Sequence, residues 1–219
     1  MIKLLFLNIL VLSVLASQDT PIPHTPEGFS LGSKDPQLHI EAFYDLLCND
    51  CKPSWEILEP ILRNEYHITT NQTLRFTVHL YPFPCHVNSF ITAQGARAIA
   101  ANLRDIEDMF TYFNLIFDNQ EQFFTFNVMN TTMGESYQSL VDLVRKNMPQ
   151  YGDVFANSLG YGNVYDIEAR TSFKYACTAR GVSTTPTYFA NGVAINGAFD
   201  WKANDWRRFL NSGTNDIRS

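Results

Sequence analysis

Basic residues are scarce in this chain. Its 16 lysines and arginines face 22 aspartates and glutamates, for a formal net charge of −6. Nucleic acid is therefore excluded as an expected partner, because that role wants a basic patch. Cysteine is scarce too. Four in 219 residues are too few for a small domain held together by disulfides. Cys48, Cys51, Cys85 and Cys177 allow three full pairings, among which sequence alone does not choose. Internal repeats and low-complexity stretches are absent. Long apolar runs are absent as well, with one exception at the start. Leu4 to Leu15 is apolar, Lys3 precedes it, and Val14 and Ala16 are small residues at cleavage positions. This reads as a secretory signal peptide, residues 1–16, cut after Ala16. The run is too short for a comfortable membrane span, so the mature chain is expected to be soluble and without a span. The ending GTNDIRS lacks a KDEL-type retention signal, which leaves a secreted role open.

About two hundred mature residues are enough for one domain with a large core, or a core plus an insertion. Aromatic residues make up 14% of the chain, which suits a well-buried interior. A secretory route permits disulfides. Two sequons, at Asn71 and Asn130, fit glycosylation on that route.

The chain is organised around QLHIEAFYDLLCNDCKPSW, residues 37–55. Residues 37–44 are β-branched and aromatic enough for a strand. Asp45 to Leu47 turn the chain. Cys48 and Cys51 then fall on the first turn of a helix expected to run to Tyr66, with a kink at Pro60. Free amides and the positive end of the helix dipole favour a thiolate there. Cys48 is nearer the helix end and is the candidate nucleophile; Cys51 is its resolving partner.

Leu74 to Leu80 alternates as a second strand, and strand–helix–strand at this spacing is a βαβ unit with parallel pairing. From Asn88 to Arg180 the pattern is helical. Ile99, Leu103, Ile106, Phe110, Phe113 and Phe117 share one face; Tyr137 to Met148 and Tyr165 to Arg180 give two further helices, the last closed by Gly181. Thr185 to Ala190 is a strand, Asn191-Gly192 a hairpin turn, and Val193 to Ile195 the return. A last helix spans about Ala203 to Leu210. The division that follows is 1–16 signal, 17–36 N-terminal lead with a short strand near Phe29, 37–87 βαβ half, 88–180 helical insertion, 181–212 ββα half and 213–219 frayed tail.

With FYDLLCNDC at 43–51 and GVSTTPTYFANG at 181–192, the chain resembles the DsbA-like branch of the thioredoxin fold from Leu38 to Leu210. The resemblance implies an α/β thioredoxin fold with an inserted all-helical subdomain. It implies thiol–disulfide oxidoreductase activity with no metal or organic cofactor, acting on protein or peptide thiols and disulfides with a redox partner of unknown identity. It also implies a Cys48–Cys51 disulfide in the oxidised form, a cis Thr185–Pro186 bond, and peptide docking at Thr185 and Pro186. Two departures stand out. Ala42 occupies the position where relatives often carry a glutamate near the second sulfur, and alternation points Glu41 to the opposite face, leaving Asp45 or water to serve Cys51. The dipeptide between the cysteines is Asn49-Asp50 without a histidine, so Cys48 is expected to be less acidic than in the strong oxidants.

Other readings compete. The pair is instead a fixed staple if the fold is a redox-inactive binding module presenting its helical insert. Cys48, Cys51, Cys85 and His86 have the ligand types of a zinc site, a reading the thioredoxin-like setting disfavours. A kappa-type glutathione transferase relative shares the insert but uses a serine near the helix start, against which the intact Cys-x-x-C counts. His86, after the second strand, is a candidate auxiliary residue, although a helix-capping turn residue is the simpler reading. A Cys85–Cys177 disulfide would tie the insert to the core. Trp201 and Trp206 read as core or rim aromatics.

Overall fold

The structure, a computed structural model, describes residues 26–215. The expected signal peptide, most of the N-terminal lead and the last four residues lie outside the described residues. The sheet has five strands: β1 (Phe29–Gly32), β2 (Leu38–Tyr44), β3 (Leu74–Leu80), β4 (Thr187–Ala190) and β5 (Val193–Ala194). Their order is β1-β3-β2-β4-β5. β2 and β3 are parallel, with Leu38 beside Leu74 and Tyr44 beside Leu80. β4 runs antiparallel to β2 and sets Tyr188 beside Ala42. These parallel strands are the two that composition and alternation respectively identified, and the hairpin joins β2 through β4, turning at Asn191, whose backbone adopts φ +47°.

Helix α1 (Cys51–Pro60) follows β2. Its buried face is Cys51, Ser54, Trp55 and Leu58, the three-and-four spacing that lays one side of a helix on a sheet. Pro60 has no N–H, and its ring crowds the carbonyl one turn back. There the helix widens into a π turn over Ile61–Glu65, with the Tyr66 N–H returning to the Ile61 carbonyl at 3.2 Å. The kink expected at this proline takes that form.

The apolar run from Ile99 to Phe117 is divided between two helices, α2 (Ser89–Ala100) and α3 (Glu107–Asp118). The reason is local. Asn102 turns its amide back to the Ala98 carbonyl, and Asp105 Oδ1 accepts the Glu107 N–H, so short polar side chains compete for the backbone and stop the helix. Leu103 and Ile106 still pack on the core from the connection. α4 (Met133–Asn147) begins with a complete capping box between Thr132 and Glu135. α5 (Gly152–Ala156) is short, and α6 (Val164–Lys174) runs into a second π turn at Tyr175–Ala179. Gly181 follows at φ +66°.

The sheet is covered on both faces. On one, Trp55 of α1 is surrounded by Tyr44, Phe110, Phe113 and Phe117 at ring distances of 5.6–5.9 Å. On the other, Phe173 stacks on Tyr81, and Phe43 lies between His79 and Phe189. α7 (Ala203–Asn215) closes the fold with Trp206 and Leu210 fully buried. It extends past Leu210, the expected helix end, and through Gly213, where the frayed tail was expected to begin, and Gly213 fits against Leu38. A Cβ there would stand 2.9 Å from Leu38 Cδ2. No helix among the described residues is long and apolar enough to cross a membrane.

Candidate active site

The two cysteines sit where β2 gives way to α1. The Cys48 N–H returns to the Asp45 carbonyl at 3.1 Å, and the Cys51 N–H to the Cys48 carbonyl at 3.2 Å. Cys48 therefore lies in the turn just ahead of the helix, and Cys51 is its first residue. Asp50 is the N-cap but makes no side-chain cap bond, which leaves the free amides turned towards the sulfurs. Gln120, on a 3-10 turn after α3, donates to the carbonyls of both Leu46 and Cys48 at 3.3 Å and holds the turn from outside.

The pair is asymmetric. Cys48 is 7% exposed and Cys51 is 0% exposed; both are free thiols. A hydrogen bond from Cys51 draws the Cys48 thiol down to about 6. Burial opposes that shift, and the Thr185 side chain and the amides of Asp50 and Cys51 assist it. Burial pushes the Cys51 thiol well above its ordinary value, and its contact with Cys48 adds to the rise. An outer sulfur that ionises readily thus stands in front of an inner one that holds its proton.

The loop before β4 faces this pair. The Thr185–Pro186 bond is cis, Thr185 is buried, and the Cys48 thiol lies 3.5 Å from the Thr185 carbonyl oxygen. Residues 137 positions apart meet because β4 pairs with β2 and delivers its leading loop to the end where α1 begins.

Asp45 is buried and fully engaged. Oδ1 accepts from the Leu47 N–H and the Ser89 hydroxyl, and Oδ2 from the Phe83 N–H and His86 Nδ1. Four donors on two oxygens commit this carboxylate to joining the end of β2 to the β3–α2 connection. His86 does form the expected turn, accepting the Ser89 N–H. Its ring, however, reaches the site. The hydrogen bond to Asp45 raises its pKa first, and the charges of Asp45 and of a Cys48 thiolate raise it further. Glu41 lies on the opposite face of the sheet, as alternation required, gripped through both oxygens by Arg180 at 2.6 and 2.9 Å.

Cys85 is exposed beside His86, and Cys177 is half-buried against the cluster of Phe43, Tyr81 and Phe189; both are free thiols. No group of three or more His, Cys, Asp or Glu among the described residues is placed to hold a metal. The Asn71 side chain is built into its own turn, donating to the Tyr66 carbonyl and accepting from Thr73 and Leu74; Asn130 is exposed. Gln120 gave no signal in the sequence. Tyr44, Ser54 and Tyr188, which share buried hydrogen bonds, were not singled out in the sequence.

A family model described as Thioredoxin matches residues 24–212. The chain belongs to the thioredoxin family. Within it the fold is DsbA-like, as three of its solved structural neighbours illustrate. The alpha-DsbA1 of Wolbachia pipientis aligns at a TM-score of 0.66 with 14% identity, over 88% of this chain and 92% of its own. DsbA of Chlamydia trachomatis gives 0.60 and 16%, over 90% and 96%. Oxidised BdbD of Bacillus subtilis gives 0.59 and 14%, over 85% and 92%. No curated protein matches. At these identities the likeness to solved structures is one of fold, and the chemistry of this DsbA-like thioredoxin rests on its own residues.

Proposed function

We propose that this DsbA-like protein is a thiol–disulfide oxidoreductase of the secretory pathway, with Cys48 as nucleophile and Cys51 as resolving thiol. The observation that carries the reading is the asymmetry of the pair: Cys48 acidic at the front, Cys51 buried behind it. A permanent staple closing so small a loop adds little stability and gains nothing from an acidic outer sulfur.

When the pair is oxidised, a substrate thiolate attacks Cys48 Sγ. The Cys48–Cys51 bond breaks, and the Cys51 sulfur leaves with the electron pair and takes a proton. A second substrate thiolate then attacks the substrate sulfur and expels Cys48 as a thiolate. The substrate gains a disulfide and loses two electrons, which the pair now holds as a dithiol. Run in reverse, Cys48 opens a substrate disulfide and Cys51 resolves the mixed intermediate. An extended peptide docks along the Thr185–Pro186 loop by backbone hydrogen bonds, with its sulfur beside Cys48. His86, held by Asp45, supplies positive charge to the thiolate in its protonated form, which the carboxylate favours. The substrates are protein or peptide thiols and disulfides, and the compartment is an oxidising lumen or the cell exterior, a reading supported by the signal peptide expected at residues 1–16.

The test is the reduction potential of the pair, by equilibration in thiol buffers with trapping. A reversible couple between about −120 and −270 mV is expected. A pair that stays oxidised below about −300 mV is structural and transfers the function to a binding role for the helical insert.

A further inference from the structure

A cleft of about 380 Å³ opens beside the reactive turn. Asn49, the residue after Cys48, and Lys52, the second residue of α1, line it from the motif. Asp118, Gln120, Glu121 and Phe124 line it from the end of α3 and the turn that follows. The cysteine motif and the helical insert therefore build it together.

Gln120 connects this cleft to the nucleophile. The residue is only 4% exposed. Its NH2 group meets the carbonyls of Leu46 and Cys48, both at 3.3 Å. Two carbonyls can be met only by the donor end of an amide, so the other end is the oxygen. Among the described residues no group donates to that oxygen. An acceptor in a cleft wall, on a side chain this buried and without a donor, calls for an N–H from a ligand.

The charges point the same way. Lys52 is the one cation among the described residues of the lining. It is already met by Glu56 Oε1 at 3.8 Å and Asp118 Oδ1 at 4.0 Å. Glu121 is exposed and joins no ion pair among the described residues. Glu56, Asp118 and Glu121 thus set three negative charges against the one on Lys52. Phe124 adds a half-buried ring, a surface for a guanidinium or for the stem of a lysine.

We propose that this cleft is a substrate subsite, which takes a lysine or arginine side chain lying within a few residues of the substrate's reactive cysteine. This rests on the oxidoreductase reading of the pair. A substrate sulfur at Cys48 places its neighbouring residues next to Asn49, since consecutive Cα atoms are about 3.8 Å apart. The basic group then donates to Gln120 Oε1 and pairs with Glu121 and Asp118. An acidic residue in the same position is repelled, and the difference between the two is the specificity.

The experiment uses the oxidised protein and three short single-cysteine peptides that differ at one position, two residues after the cysteine: arginine, alanine or glutamate. The rate at which each reduces the Cys48–Cys51 pair is followed by thiol trapping. It is divided by the rate of the same peptide with the uncharged bis(2-hydroxyethyl) disulfide, which removes the peptide's own thiol reactivity. The arginine peptide is expected to react about fivefold faster than the glutamate peptide, the size of an exposed charge interaction. In the double variant Asp118→Asn/Glu121→Gln that ratio is expected to fall towards about one. Both side chains are exposed, so the fold does not depend on them. Equal rates for the three peptides with the wild type overturn the subsite and leave the oxidoreductase reading standing. A preference that persists unchanged in the double variant also overturns it, by assigning the effect to the net charge of the whole protein. A pair that none of the peptides reduces overturns the oxidoreductase reading, and the subsite with it.

Discussion

His86 Nδ1 stands 2.6 Å from Asp45 Oδ2, and this contact brings an ionisable ring, whose charged form Asp45 favours, to a site whose Cys-x-x-C dipeptide has no histidine of its own. Asp45 orients the ring and favours its charged form. The charge arrives from the β3–α2 connection rather than from within the motif. A thiolate at Cys48 and a proton on His86 therefore stabilise each other. His86→Ala is expected to raise the Cys48 midpoint from about 6, by up to about one unit. Thiolate absorbance or alkylation rate against pH measures this, and an unmoved midpoint removes His86 from the site.

Asp45→Asn tests the scaffold beneath that ring. An amide presents one acceptor oxygen and an NH2 group where four donors now converge, so buried N–H groups of Leu47 or Phe83 lose their partner. A loss of about 3 kcal/mol in unfolding free energy is expected, visible in denaturant midpoints. Stability within about 0.5 kcal/mol of wild type would mean that water replaces the carboxylate.

Stability should be greatest at intermediate pH, and both limbs follow from one cluster. Glu41 is hydrogen-bonded by His79 and Arg180, which hold its pKa at about 2 against burial. A carboxylate lowered on folding stabilises above its ordinary range near 4.5, and that contribution is lost as the pH falls towards about 2. His79 is also buried, and its bonds to Glu27 and Glu41 outweigh burial and raise its pKa. A ring raised on folding stabilises fully below its ordinary value near 6.5, and this is lost as the pH climbs through the folded value. Denaturant midpoints across pH are expected to fall at both ends, and His79→Gln is expected to flatten the alkaline limb and, because His79 also holds down the Glu41 pKa, to weaken the acid limb. An alkaline limb unchanged in that variant assigns the fall to another group.

Thr132 does two jobs. Its hydroxyl completes the Asn130 sequon and also caps α4, accepting the Glu135 N–H at 3.2 Å. Thr132→Ala is expected to cost about 1 kcal/mol of stability even in unglycosylated protein, whereas Thr132→Ser keeps both roles. Denaturation of protein from a bacterial host isolates the capping effect. An unchanged midpoint there would show that α4 holds by packing alone.

By itself the sequence determined the parts whose signals are local. β-branched and aromatic composition marked the strand at 37–44, alternation marked Leu74–Leu80, Asn191-Gly192 marked the hairpin, and the cysteine pair marked the start of α1, because composition, period, turn chemistry and spacing are written within a few residues. The break between α2 and α3 was hidden, since Leu103 and Ile106 keep the apolar rhythm across it while Asn102 and Asp105 end the helix through their own backbone contacts. The site was legible only as far as its motif. The acidity of Cys48, the burial of Cys51, the place of His86 and the approach of Thr185 were decided by tertiary structure. Each depends on groups brought together by the fold, such as Cys48 and Thr185 from 137 positions apart. Burial and charge at an atom are properties of everything packed around it, and no window of sequence contains them.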